Sequence, residues 1–199
     1  MIDQYQERLV AAIQYFAAHD KYPTKTKMFK LLFCLDKEHY RQTGLTVTNL
    51  DYFAWKHGPF PKKIWFEIKD GQLPDYLKGK VKLIQSTLDE DTESIKVKFV
   101  TCQKPDMSVF TPRQLKIIDE ILFTYKEVTP SLMSSISHVI DEPWDMTVRK
   151  KGLKQQIDFN LALKPTDPVT PKEAELKMRE RREMIHNFPF ELSSNAQQG

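Results

Sequence analysis

Ile2, Tyr5, Leu9, Ile13 and Phe16 return at three- and four-residue steps, which predicts an amphipathic helix over residues 3–19. His19-Asp-Lys-Tyr-Pro23 breaks it, because proline disfavours helix in the residue before it. Thr24 or Thr26 is suited to cap a second helix, which runs to about Thr43 and stops at Gly44. On this second helix Phe29, Leu32, Phe33 and Tyr40 share one side, with Asp36 on the same stripe. Lys27, Lys30, Lys37 and Arg41 share another side with Cys34, and the pattern reads as a solvated basic face. A buried Asp36 needs partners, and backbone amides or a nearby lysine are the natural ones.

Further along, residues 50–55 are rich in aromatics and read as a short strand, punctuated by Gly58-Pro59. Pro59 and Pro61 fit the first turn of a third helix carrying Phe60, Ile64, Trp65 and Ile68 up to a stop at Asp70-Gly71. Residues 81–85 and the alternating Ile95, Val97 and Phe99 form an antiparallel hairpin around the acidic turn 89–92. Thr111-Pro-Arg-Gln114 combines a cap, a first-turn proline and a capping-box glutamine, opening a helix with Leu115, Ile118, Leu122 and Tyr125 inward. Thr129-Pro130 repeats the device for a helix with Leu132, Met133, Ile136 and Ile140 inward, ending near Asp141-Glu-Pro143.

The fold class expected is α+β: a compact, mainly helical domain with a small antiparallel sheet of about three strands, plus a C-terminal charged helical extension. The domain is expected over residues 1–152, a Pro-containing linker over 153–171, and a charged helix with a disordered tail over 172–199. Thr170-Pro-Lys-Glu173 is a capping box for that last helix, whose Leu176, Met178, Met184 and Ile185 form no apolar stripe.

Composition narrows the function classes. The 199 residues carry 40 % hydrophobic residues, enough for a core. The net charge of +3 falls well short of a nucleic-acid footprint. No apolar run reaches the roughly 18 residues a membrane span needs, and the N-terminus lacks a signal-peptide pattern. Two cysteines, Cys34 and Cys102, suit a reduced, cytoplasmic protein. Phosphate-loop, zinc-protease and nucleophile-elbow motifs are absent from the sequence. A Cys34/His138 pair is the one nucleophilic option, against the ordinary reading of a cysteine as a small buried hydrophobe. Ser134-Ser-Ile-Ser-His138 with Trp144 reads either as the lining of a polar cleft or as helix serines bonded to their own carbonyls beside a core tryptophan. No enzyme activity, metal or cofactor is expected.

Lys30-Leu-Leu-Phe-Cys-Leu-Asp-Lys37, Tyr40, the run from Asp51 through Trp55-Lys-His-Gly-Pro59, and the segment from Leu132 through His138 to Pro143-Trp144 together resemble the Panacea domain. That family includes SocA-like and phage-associated GepA-like antitoxins, and the resemblance runs over roughly residues 5–150. It implies a compact α+β antitoxin domain from bacterial or prophage toxin–antitoxin pairs, neutralising its cognate toxin by direct protein–protein binding. The alternatives are a proteolytic adaptor delivering a toxin to an ATP-dependent protease, or a nucleic-acid-binding regulator using the lysines of the second helix. The mild charge argues against nucleic acid, and nothing points to a membrane. No catalytic residue comes with the family. Lys30, Asp36, Tyr52, Trp55, Lys56, Pro59, His138 and Trp144 are expected as the domain's central surface or core, with Arg179, Arg181 and Arg182 as further partner contacts.

Overall fold

The computed structural model describes residues 4–68, 71–88, 95–139 and 141–187. Ile2, Asp70, the turn 89–92, Ile140 and the tail from Ser193 lie outside the described residues. Helix α1 (Gln4–His19) and helix α2 (Lys25–Thr43) follow the apolar periodicity closely. Thr24 caps α2 by accepting from the Lys27 amide, and Gly44 ends it with φ 77°. Gly44 is needed twice, because a Cβ there would also meet the Ala174 backbone at 2.9 Å.

Strand β1 (Tyr52–Trp55) pairs antiparallel with β2 (Gly58–Pro61), and helix α3 (Lys62–Glu67) follows at once. Two prolines made residues 58–61 read as a helix start. They fit a strand because the register pairs Trp55 with Gly58 and Ala54 with Pro59. Pro59 and Pro61 then sit where an amide would point away from β1, so no ladder bond is missed. β3 (Val81–Leu88) and β4 (Ile95–Thr101) form the second antiparallel pair, as the alternation predicts. The strands thus make two small two-stranded sheets in a mainly helical α+β fold.

Helix α4 (Pro112–Tyr125) opens with the full capping box between Thr111 and Gln114. Its buried positions are Gln114, Ile117, Ile118 and Ile121, rotated from the expected stripe, while Leu115, Leu122 and Tyr125 are partly buried. Helix α5 (Pro130–Ile136) is one turn shorter than expected; Met133 is buried but Leu132 is 52 % exposed. Pro143 does not follow a helix but starts one, α6 (Pro143–Lys151), where its missing amide is harmless.

Past Gly152 the chain stays against the domain. The Lys154 amide donates to Ala54 O at 2.6 Å, the Ala54 amide to Gln155 O at 2.8 Å, and the Ile157 amide to Tyr52 O at 2.8 Å, so this segment runs along the free edge of β1. Ile157 is buried in the main core, and Phe159 stacks on Phe33 and Tyr40. Helix α7 (Pro171–Asn187) then lays Ala174 and Arg181 onto the end of α2 and the loop after it. Among the described residues no helix is long and apolar enough to cross a membrane.

α2 is the axis of this arrangement. Helices α1, α4 and α5 and strands β2 and β4 all pack on it. This enclosure corrects the reading of its lysines as a solvated face. Lys27 is fully buried in an ion pair with Asp20 at 2.7 Å, and Lys30 is only 4 % exposed. Lys37 pairs with Glu142 at 2.6 Å and Arg41 with Asp167 at 2.7 Å. A wheel shows which residues share a side, but only the neighbouring elements decide whether that side meets water.

Candidate binding site

Two polar centres are built on α2, about one and two-thirds turns apart. In the first, the Asp36 carboxylate is wholly buried and accepts from the Val47 amide at 2.7 Å, the Thr48 amide at 2.9 Å, the Thr48 hydroxyl and the Tyr52 hydroxyl at 2.9 Å. Burial raises its pKa, and these four donors oppose the shift. Burial also holds the Tyr52 phenol well above its ordinary range, with the adjacent Asp36 adding to it. The centre fastens the loop after α2 and strand β1 to the helix. The Asp36 carboxylate at its heart is fully buried.

The second centre surrounds Lys30. Its Nζ donates to the Pro59 carbonyl at 3.1 Å, the oxygen that β2 turns away from β1. Gly58 lies against it with φ 98°, and a Cβ there would run into Ser137 Oγ and lie 2.7 Å from Lys30 Nζ. The Trp144 indole of α6 donates to the Trp55 carbonyl at 2.9 Å, and the His138 ring stacks on Trp144 with centroids 4.0 Å apart. Four segments distant in sequence therefore meet at the β1–β2 turn. Burial lowers the Lys30 pKa to about 8, and burial with the Lys30 charge lowers that of His138.

Lys30 lines two cavities. The inner one, about 140 Å³, lies between α2, α5 and α6 and is bounded by Cys34, Lys37, Ser137, Glu142 and Trp144. The outer one, about 260 Å³, opens beside the hairpin and α3. Its wall is an aromatic ladder: Trp55 stacks on Phe60 at 5.1 Å, Phe60 meets Trp65 at 5.3 Å, and Trp65 meets Phe66 at 5.1 Å. Phe66 is 54 % exposed, and the Lys25 ammonium sits 5.1 Å over the Trp65 ring.

Of the residues singled out in the sequence, Lys30, Trp55, Pro59, His138 and Trp144 come together in this second centre, and Asp36 and Tyr52 form the first. Lys56 is exposed on the hairpin turn. Arg181 is buried in a separate cluster, donating to Thr46 O at 2.8 Å, Thr46 Oγ1 at 3.0 Å and Tyr5 Oη at 2.6 Å, with its guanidinium 4.0 Å over the Tyr5 ring. Arg179 is exposed and Arg182 lines a surface cleft beside Tyr40. Sequence reasoning missed Phe66, whose place on the open side of α3 depends on a helix boundary shifted by the unrecognised β2. The serines of α5 bond back to their own helix, Ser134 to Pro130 O and Ser137 to Ser134 O, and Ser137 also lines the inner cavity. Burial pushes the Cys34 thiol up to about 11, which leaves it protonated at neutral pH and a poor nucleophile.

The family profile described as antitoxin SocA-like, Panacea domain matches residues 28–145. That is more than half of the chain, which therefore belongs to the Panacea-domain family of SocA-like antitoxins. The matched span contains both polar centres and the aromatic ladder, and leaves Arg181 outside. No curated protein and no solved structure matches the chain.

Proposed function

We propose, on the premise that the chain is a SocA-like Panacea-domain protein, that it neutralises a toxin protein by binding it directly, without catalysis. Family membership carries the reading. It is supported by an open groove walled with aromatic side chains inside the matched span, since exposed apolar patches of this kind serve protein contact. The protonated state of the buried Cys34 thiol fits a protein that works by contact alone. The face around the β1–β2 hairpin and α3 is the surface we assign to the toxin.

Co-expression with the adjacent reading frame tests this. That frame alone should arrest growth, and this chain should relieve the arrest and co-purify with its product. A frame without toxicity, or arrest that persists, overturns the proposal. Phe66→Glu should abolish relief while leaving the thermal melt unchanged, because Phe66 points outward.

A further inference from the structure

Among the described residues, four other buried or half-buried cations have their charge answered or their donors filled. Lys27 has Asp20, Lys37 has Glu142, Arg41 has Asp167, and Arg181 has Thr46 and Tyr5. Lys30 has one carbonyl. An ammonium carries three donors, and a carbonyl leaves its charge uncompensated in a place that water barely reaches. Close by, His138 Nε2 is buried without a hydrogen-bond partner. Among the described residues no carboxylate lines the outer cavity; its polar walls there are Lys25, Thr26, His57 and Lys30 itself. The cavity, about 260 Å³, has room for one or two side chains.

We infer that this groove receives a segment of the partner protein in which an Asp or Glu carboxylate seats on the Lys30 ammonium while neighbouring large apolar side chains pack on Trp55, Phe60, Trp65 and Phe66. The carboxylate supplies the missing counter-charge through a charge-assisted hydrogen bond, strengthened by the low local dielectric. The aromatic ladder supplies apolar area and excludes water from that bond. The charge therefore selects the segment, and the rings hold it. The inference rests on the antitoxin reading for the partner being a protein.

The probe is a displayed library of random linear peptides selected against the full chain. Selected peptides should share an acidic residue flanked by large apolar ones. Changing that Glu to Gln, or Asp to Asn, in the peptide should weaken binding about tenfold or more. Lys30→Met should erase the difference between acid and amide peptides, and Phe66→Ala should weaken both. Affinity for the acidic peptide should hold below about pH 8 and fall above it, as the ammonium of the free chain loses its proton. The groups facing Lys30 do not reproduce that fall. Cys34 and, across the inner cavity, Tyr125 are raised to about 11 and about 12, His138 is lowered, and Lys37 is paired with Glu142, while Lys25 and His57 line the outer cavity.

Peptides without an acidic residue, equal affinity for acid and amide forms, an acid preference that survives Lys30→Met, or no selected binder each overturn the inference. Because the library needs no toxin, these outcomes are independent of the co-expression result. Neutralisation that survives Lys30→Met removes the carboxylate seat and leaves the antitoxin reading standing.

Discussion

Asp36 and Lys30 lie six residues apart on one helix, both buried, and their surroundings are opposite. Asp36 has four donors from a loop and a strand, so its charge is spent on fastening the fold. Lys30 has one acceptor and borders two cavities. A saturated buried charge is a structural tie, because removing it strands its partners. An unsaturated one is a standing demand for a ligand of opposite sign. The difference separates scaffold from recognition within a single helix, although their residue types give no hint of it.

The largest effect should come from the saturated side. Asp36→Ala leaves two amides and the Thr48 and Tyr52 hydroxyls without their acceptor, and should lower unfolding free energy by about 4 kcal/mol in urea denaturation. Asp36→Asn keeps an acceptor and should lose about half as much. An equal loss from both would mean that the negative charge, rather than its hydrogen bonds, holds the loop.

Gly58→Ala comes next. It combines an unfavourable positive φ with a collision at Ser137 and Lys30, and should destabilise by about 3 kcal/mol in the same measurement. Arg181→Met tests a third buried charge, satisfied like Asp36 but outside the family span. Losing its bonds to Thr46 and Tyr5 should lower stability by about 2 kcal/mol and raise amide exchange in α7 before the rest of the chain.

Lys30→Met should have the smallest effect, within about 1 kcal/mol near neutral pH, since it removes an uncompensated buried charge along with one hydrogen bond. Its signature is in pH. The folded pKa of about 8 lies below that of an unfolded lysine, so the unfolded chain binds more protons between the two values. Stability of the wild type relative to Lys30→Met should therefore rise with pH from about 8 towards 10, by about 1.4 kcal/mol per unit at most. A flat difference would mean that Lys30 is already answered by a group in the fold, and the contrast with Asp36 would vanish.

Much of this fold was legible from residues a few positions apart. The caps at Thr24, Thr111 and Thr129 and the stop at Gly44 stand where the sequence predicts them, because each is decided within one helical turn. The β3–β4 hairpin follows its alternation for the same reason. Asp36 was legible in part: an aspartate on an apolar stripe had to find donors, with backbone amides or a nearby lysine expected, and it meets two amides and two hydroxyls but no lysine. Strand β2 was not, because Gly-Pro-Phe-Pro carries helix-start signals and is a strand only where both prolines face away from a partner. Helix α6 was lost to the same ambiguity at Pro143, a residue that can follow a helix or begin one.

The sequence by itself determined helices α1, α2 and α4 with their caps, the second hairpin, the family's motif residues and the isolation of Asp36 among apolar neighbours. Only the tertiary structure decided which charges are buried and what they meet. A side chain's solvation is set by elements that arrive from far along the chain: Pro59 O from β2, Ser137 from α5 and Trp144 from α6. Periodicity places Lys27, Lys30, Lys37 and Arg41 together on one side. The packing of α2 amid its neighbours turns three of them into paired ions and leaves Lys30 with a single carbonyl.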